Sequence, residues 1–262
     1  MSSWISLVKK EFLLTRAIFI AAIVFIFVVW GFSYVLDYLR IGEANVEINE
    51  SAFAGPMMLI LMTGGVFMHV FYMPIYIIIS MQKELNTFHL WLHTPQPMIK
   101  LLSAKLMSGL LCMVISLFIN GTIALSLVIL HIPEEFMPSF WNTVSFIGLF
   151  GGALISSSVY FGLYVLLYVA IYLLLRGKIG KWTWPVIIGL FMLMNWIFSI
   201  VEKMNWHQAL MEWGTITINI EAEMLAPIFP MDISAGFLLV HLLFALILFA
   251  IATFLIDRKA EV

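Results

Sequence analysis

Charged residues are scarce in this sequence: Asp, Glu, Lys and Arg make up only 11% of its 262 residues, while 63% are hydrophobic. A soluble domain carries roughly a quarter charged residues, so this composition excludes a water-soluble core. Apolar runs of about 20 residues, long enough to cross a bilayer, recur along the chain. The alternating segments of about ten residues that a transmembrane β-barrel needs are missing. We therefore expect an all-α polytopic membrane protein that forms a single domain over residues 1–262.

Sequence motifs of catalysis and metal binding are also missing. Cys112 is the only cysteine, so an internal disulfide is excluded. No G-x-x-x-x-G-K-[ST] phosphate-binding loop occurs, and no G-x-S-x-G nucleophile motif occurs. His89 and His93 have the spacing of a metal-ligand pair, but no third ligand lies nearby in the sequence. We expect neither enzymatic activity nor a cofactor or metal bound by this chain, and no nucleic-acid partner.

Six apolar runs are predicted to span the membrane. They cover approximately residues 17–36, 56–80, 101–130, 141–175, 184–201 and 233–256. Of the 13 Lys and Arg residues, 11 fall in one set of connecting segments and only Arg40 and Lys203 fall in the other. Because positively charged loops remain in the cytoplasm, we expect both termini, the 81–100 loop and the 176–183 loop to be cytoplasmic. The predicted location is the plasma membrane of a bacterium.

The segment before the first span, residues 1–16, is charged, and we predict no cleavable signal peptide from it. Trp4, Val8 and Phe12 recur at helical spacing, which favours an amphipathic helix lying in the membrane interface with its basic groups near anionic headgroups. The alternative is that this segment simply extends the first span into the cytoplasm.

The long outer loop, residues 202–232, is acidic and contains the alternating stretch TITINIEA, which is typical of a strand. A single strand would have unpaired edges, so we expect short helices or a cap over the outer helix ends instead. The acidity of this loop either attracts cationic cargo or belongs to a solvated outer face.

The 81–100 loop is predicted to contain a short helix, and charged residues flank this helix on both sides. Asn86 is a favourable N-cap, and Pro95 stops the helix that residues 87–94 can form. Three residues at positions i, i+3 and i+4 make one apolar face: Phe88, Trp91 and Leu92. Two helical turns are not stable alone in water. Either the inner headgroup region or a cytoplasmic protein must therefore bury this face.

This loop resembles the first cytoplasmic loop of type-2 ABC exporter permeases. That loop reads Glu-Arg/Lys-Glu, a gap, Gly-Thr-Leu, then Leu-Leu, a gap and Thr-Pro, with a lysine at the start of the next span. The matching residues are Lys83, Glu84, Thr87, Trp91, Leu92, Thr94, Pro95 and Lys105. The departures are Gln82, Asn86 and Phe88. Six spans, cytoplasmic termini, the N-terminal helix and a long last outer loop extend the resemblance to the whole chain.

The resemblance implies a permease subunit that works as a homo- or heterodimer with two copies of a separate ABC ATPase, which binds the ATP and Mg²⁺. The short helix would be the coupling helix that sits in a cleft of the ATPase. Its contacting residues would be Asn86, Thr87, Phe88, Trp91, Leu92, Thr94 and Pro95. The small bacterial permeases that this chain is most similar to export phenol-soluble-modulin-like or antimicrobial peptides, which implies an amphipathic cargo.

Three charged residues lie where the second span leaves the membrane and the third begins. Lys83, Glu84 and Lys105 either form an ion-paired inner gate or are solvated charges at helix ends.

Polar residues within the spans give a second group of candidates. His69 and Asn195 fall near the middle of the membrane, and together with Phe67 and Met68 they form a possible cargo pathway. Alternatively, the polar side chains hydrogen-bond across helices. No span has a charged residue at its centre, which argues against an ion-coupled secondary transporter.

A second class of function also fits the sequence. The chain could be a non-transporting membrane immunity or sensor protein that binds a peptide or lipid. A membrane enzyme acting on lipids would need a catalytic cluster, which the sequence does not contain.

Overall fold

The structure, a computed structural model, describes residues 3–43, 64–85, 97–131, 140–217 and 232–260. Nearly all of these residues are helical. The helices are α1 (Ser3–Glu43), a 3-10 turn (Met68–Phe71) that leads into α2 (Tyr72–Leu85), α3 (Met98–His131), α4 (Phe140–Ile179), a second 3-10 turn (Gly180–Trp182), α5 (Thr183–Val201), α6 (Asn205–Met211) and α7 (Ala235–Ala260). Two short strands, β1 (Thr215–Thr217) and β2 (Asp232–Ser234), lie between α6 and α7.

Five helical stretches in the described part of the chain are long and apolar enough to cross a membrane. They are Trp4–Phe32, Gly64–Glu84, Met98–Ser126, Ile147–Val201 and Ala235–Arg258. The predicted helical class and its capacity to span a membrane are therefore confirmed.

The fourth of these stretches contains two helices. Its 55 residues would measure about 80 Å as one straight helix at 1.5 Å per residue, whereas the hydrocarbon core is only about 30 Å thick. The break falls at Gly180, whose φ of 56° lies in the left-handed region that glycine adopts without steric cost. Thr183 Oγ1 then donates to the Gly180 carbonyl at 2.7 Å as the next helix begins. Helices α4 and α5 thus cover the predicted fourth and fifth spans.

The N-terminal segment differs from its prediction. Helix α1 continues without a break from Ser3 to Glu43, so residues 1–16 do not form a separate interfacial helix. The segment between residues 3 and 30 contains neither proline nor glycine, and Glu11 and Thr15 are buried. Glu11 contacts Lys105 of α3 and Thr15 contacts Tyr76 of α2, and these contacts hold the start of α1 against both helices. The alternative of an extended first helix is the one that the structure shows.

The described helices form two compact units by their contacts. The first comprises Met1–Lys83 and Ser103–Gly162, and the second comprises Glu84–Leu102 and Leu163–Val262. Glu11, His69, Ser80 and Lys105 all lie in the first unit.

In the first unit, α2 is packed closely against α3 and α4. A Cβ atom placed at Gly109 of α3 would lie 2.7 Å from the Tyr76 ring, and one at Gly162 of α4 would lie 3.0 Å from Met73 Cβ. The Met73 backbone N–H donates to Ser158 Oγ of α4 at 3.1 Å. Small residues at these positions allow the helix backbones to approach each other, as is usual in membrane bundles.

In the second unit, aromatic rings join α5 and α7 to the C-terminal part of α4. The Phe244 ring of α7 lies 6.1 Å from Tyr164 and 5.0 Å from Phe198, measured between centroids. Tyr168 and Phe191 lie 6.0 Å apart in an edge-to-face arrangement. Such pairs stabilise a contact beyond the area that they bury.

The predicted outer loop, residues 202–232, is partly described, and it differs from one expectation. Helix α6 is a short helix of the expected kind, but the start of the alternating stretch does form a strand. Strand β1 pairs with β2 in an antiparallel ribbon, with Thr215 opposite Ser234. The strand forms because β2, directly before α7, supplies the backbone partners that its edge requires. Residues 218–231 lie outside the described part of the chain.

Candidate functional site: a buried ion pair between α1, α2 and α3

A buried ion pair joins α1 to α3. Lys105 Nζ lies 2.7 Å from Glu11 Oε2, and the two side chains expose only 1% and 3% of their surface. Lys105 Nζ also donates to Ser80 Oγ of α2 at 2.5 Å. The Ser80 hydroxyl in turn donates to Glu11 Oε2 at 3.5 Å. Glu11, Ser80 and Lys105, here called the Glu11 cluster, therefore connect three helices through one carboxylate.

A second polar contact lies one turn further along α1. Thr15 is four residues after Glu11, so the two side chains share one face of the helix. Thr15 Oγ1 donates to the Glu11 carbonyl at 2.7 Å and lies 3.2 Å from Tyr76 Oη. Tyr76 is four residues before Ser80 and is likewise on the same face of its helix. The polar faces of α1 and α2 thus meet over two turns.

Two further contacts attach the N-terminal part of α1 nearer the surface. Lys83 Nζ donates to the Leu14 carbonyl at 2.8 Å. Trp4 Nε1 donates to Ser103 Oγ of α3 at 3.4 Å. The first four turns of α1 are therefore joined to α2 and to α3 at several separate points.

The charge pair has a large energetic consequence because it is shielded from water. Removing one partner from such a pair leaves an uncompensated buried charge and typically destabilises a protein by about 3–5 kcal/mol. Replacing both partners by apolar residues of similar volume is often neutral. The two charges of the cluster therefore depend on each other.

Of the three residues predicted to form an inner gate, only Lys105 belongs to the Glu11 cluster. Lys105 is buried, but the acid that it pairs with here is Glu11, which the sequence interpretation did not single out. Lys83 is exposed and contacts the α1 backbone, while Glu84 is buried at the end of α2. A gating role for these three residues stays a prediction. Lys105 sits inside a long apolar helix, and a lysine in that setting requires a counter-ion. That requirement could have directed attention to Glu11.

Among the predicted pathway residues, His69 is buried between the 3-10 turn that precedes α2 and helix α3. Its Nδ1 lies 3.1 Å from the Gly65 carbonyl and its Nε2 lies 3.1 Å from Ser116 Oγ. Ser116 is itself fully buried, and its hydroxyl lies 3.0 Å from the Met113 carbonyl. His69 thus makes the cross-helix hydrogen bond that was one of its two predicted roles.

The other predicted pathway residues are exposed. Phe67 packs edge-to-face on Phe150 with the ring centroids 5.4 Å apart, and Met68 is 56% exposed. Asn195 Nδ2 donates to the Phe191 carbonyl of its own helix at 2.8 Å. Their part in a pathway stays a prediction.

The predicted coupling residues lie outside the described residues. These are Asn86, Thr87, Phe88, Trp91, Leu92, Thr94 and Pro95. The structure describes the two helices that this segment joins: α2 ends at Leu85 and α3 begins at Met98. The Pro97 carbonyl accepts from the Lys100 N–H at 2.9 Å, which forms the first turn of α3.

Among the described residues, no group of three His, Cys, Asp or Glu side chains lies close enough to hold a metal ion. Comparison with protein-family models, with curated proteins and with solved structures finds no match to this chain.

Proposed function

We propose that this chain is the transmembrane permease subunit of an ATP-driven ABC exporter in the bacterial plasma membrane. It works as a pair of permeases, identical or different, together with two copies of a separate ATPase subunit that binds ATP and Mg²⁺. The cargo is amphipathic, and a peptide toxin or antimicrobial is favoured. The chain has six spans, with both termini and the 81–100 loop in the cytoplasm.

One observation carries this proposal. The frame of residues that resembles the permease coupling loop begins at Lys83, near the end of one helix that can span a membrane, and ends at Lys105, near the start of the next such helix. A short apolar face on a charged, proline-terminated segment needs a partner that buries it. An ATPase cleft meets that need, and its motion on nucleotide binding would be passed to α2 and α3.

The location of the basic residues supports the orientation. Arg176, Lys178 and Lys181 are exposed around the turn at Gly180, between α4 and α5. Lys9 and Lys10 are exposed near the start of α1. Basic residues around a short turn between two apolar helices are typical of a cytoplasmic loop.

The test is photo-crosslinking in native membranes. A photoreactive amino acid at position 91, in place of Trp91, is expected to capture a soluble protein that carries a phosphate-binding loop. The same amino acid at position 213, in place of the exposed Trp213 on the predicted outer side, is the matched control and should not capture it. Capture of phospholipid alone from position 91 would overturn the proposal. Capture of a peptide without any ATPase would favour the immunity or sensor protein.

A further inference from the structure

We propose that Glu11 is a positioning residue that makes α1 move together with the two helices joined by residues 86–97. This inference rests on the proposed function, because residues 86–97 are where the ATPase would act. It assigns to the N-terminal part of α1 a role in transmitting that action into the membrane.

The Glu11 cluster lies close to the ends of α2 and α3 that residues 86–97 connect. Ser80 lies five residues before Leu85, the end of α2, and Lys105 lies seven residues after Met98, the start of α3. At 1.5 Å per residue these separations are about 8 and 10 Å. The two side chains that contact Glu11 therefore lie at comparable distances from the two ends of the connecting segment.

One carboxylate, that of Glu11, contacts both α2 and α3. Glu11 Oε2 is the acceptor for the Lys105 ammonium at 2.7 Å and for the Ser80 hydroxyl at 3.5 Å. A motion that moved α2 and α3 without α1 would break both interactions and leave charges unpaired in apolar surroundings. Joint motion of the three helices avoids this loss.

Within the described part of the chain, most of the apolar stretch of α1 is exposed. Only 11% of the residues in its apolar window are buried, and most of its large side chains face outward. Its orientation relative to α2 and α3 therefore depends strongly on the contacts made by residues 4–15. Among these contacts, that of Glu11 with Lys105 is an ion pair.

Two variants separate positioning from simple stabilisation. Glu11→Met/Lys105→Met removes both charges and fills similar volume, so the fold is expected to survive. The ion pair that links α1 to α3 is lost in this variant. Glu11→Lys/Lys105→Glu exchanges the charges and is expected to restore the link. Glu11→Asp keeps the charge but shortens the side chain by one methylene, and provides a third variant should the double Met variant fail to accumulate.

The readout is the distance between spin labels on α1 and α3 in the complex with the captured ATPase. Labels are placed at the exposed positions Phe12 and Leu111 in a Cys112→Ser background, with and without ATP and Mg²⁺. In the otherwise unaltered chain and in the charge-exchanged variant, the label distance should not change with nucleotide, because the helices move together. In the double Met variant, or in Glu11→Asp, nucleotide should shift or broaden the distance distribution.

The two experiments distinguish failure of the proposed function from failure of the role assigned to Glu11. If position 91 captures no ATPase, the proposed function fails and this inference fails with it. If the ATPase is captured but the double Met and Asp variants show the same nucleotide-independent distance as the unaltered chain, only the role of Glu11 is overturned.

Discussion

Lys105 and Glu11 are 94 residues apart in the chain, and their charged groups lie 2.7 Å apart with almost no exposure to solvent. The acid comes from the first helix and the base from the third, and Ser80 from the second contacts both. This relationship makes each of the two charges a requirement of the other. Removing either charge alone therefore leaves the other buried without a counter-ion.

Lys105→Met alone is expected to destabilise the protein by about 3–5 kcal/mol, because it leaves the Glu11 carboxylate buried without its counter-ion. The measurement is the thermal unfolding midpoint in detergent, together with the amount of protein in the membrane. Lys100→Met is the matched control, since Lys100 lies in the same helix but is exposed, and its effect should stay within about 0.5 kcal/mol. Equal stability of the two variants would contradict the buried ion pair.

Gly109→Ala is expected to destabilise by about 1–3 kcal/mol, because the added Cβ would lie 2.7 Å from the Tyr76 ring and overpack the contact between α2 and α3. Gly148→Ala makes the same chemical change in α4, where none of the described residues packed against the helix lies within 4 Å of the added atom. The control should be neutral or more stable by up to about 1 kcal/mol, since alanine favours a helix over glycine. Thermal unfolding of the two variants tests the difference, and a Gly109→Ala variant as stable as Gly148→Ala would show that the helices are not in close contact there.

The six-span topology predicts where single cysteines react. Because Cys112 is the only cysteine, Cys112→Ser provides a cysteine-free background. Cysteines at positions 10, 178 and 258 should react with a membrane-impermeant maleimide only after permeabilisation, whereas one at 212 should react in intact cells. All four positions are exposed in the structure.

A different pattern would identify a different topology. If α4 and α5 crossed the membrane once as a single unit, positions 10 and 258 would lie on opposite sides. Labelling of position 258 but not position 10 in intact cells would therefore exclude six spans.

The helices were predictable because an apolar run of sufficient length leaves the backbone few alternatives in a bilayer. The break near Gly180 was predictable for the same reason: charged and glycine residues interrupt the run there. The continuity of α1 was harder to predict. The charge of residues 1–16 indicated a separate segment, but burial of Glu11 and Thr15 against two other helices allowed one helix to continue.

The candidate site was less accessible to prediction than the helices. Lys105 was recognised, but its pairing with Glu11 depends on which faces of α1, α2 and α3 meet, and no local pattern encodes that choice. The pairing of β1 with β2 was missed for a similar reason, since the partner strand is separated from it by residues 218–231. The coupling segment, residues 86–95, stays a prediction from the sequence.

The separation of Glu11 and Lys105 along the chain has a consequence for biosynthesis. Ribosomes add about 5–20 residues per second, so roughly 5 to 20 seconds pass after Glu11 is made before its counter-ion exists. An unpaired carboxylate is unfavourable in hydrocarbon, so in this interval the first turns of the nascent chain remain in contact with water. The ion pair between Glu11 and Lys105 therefore forms only after the third helix has been translated.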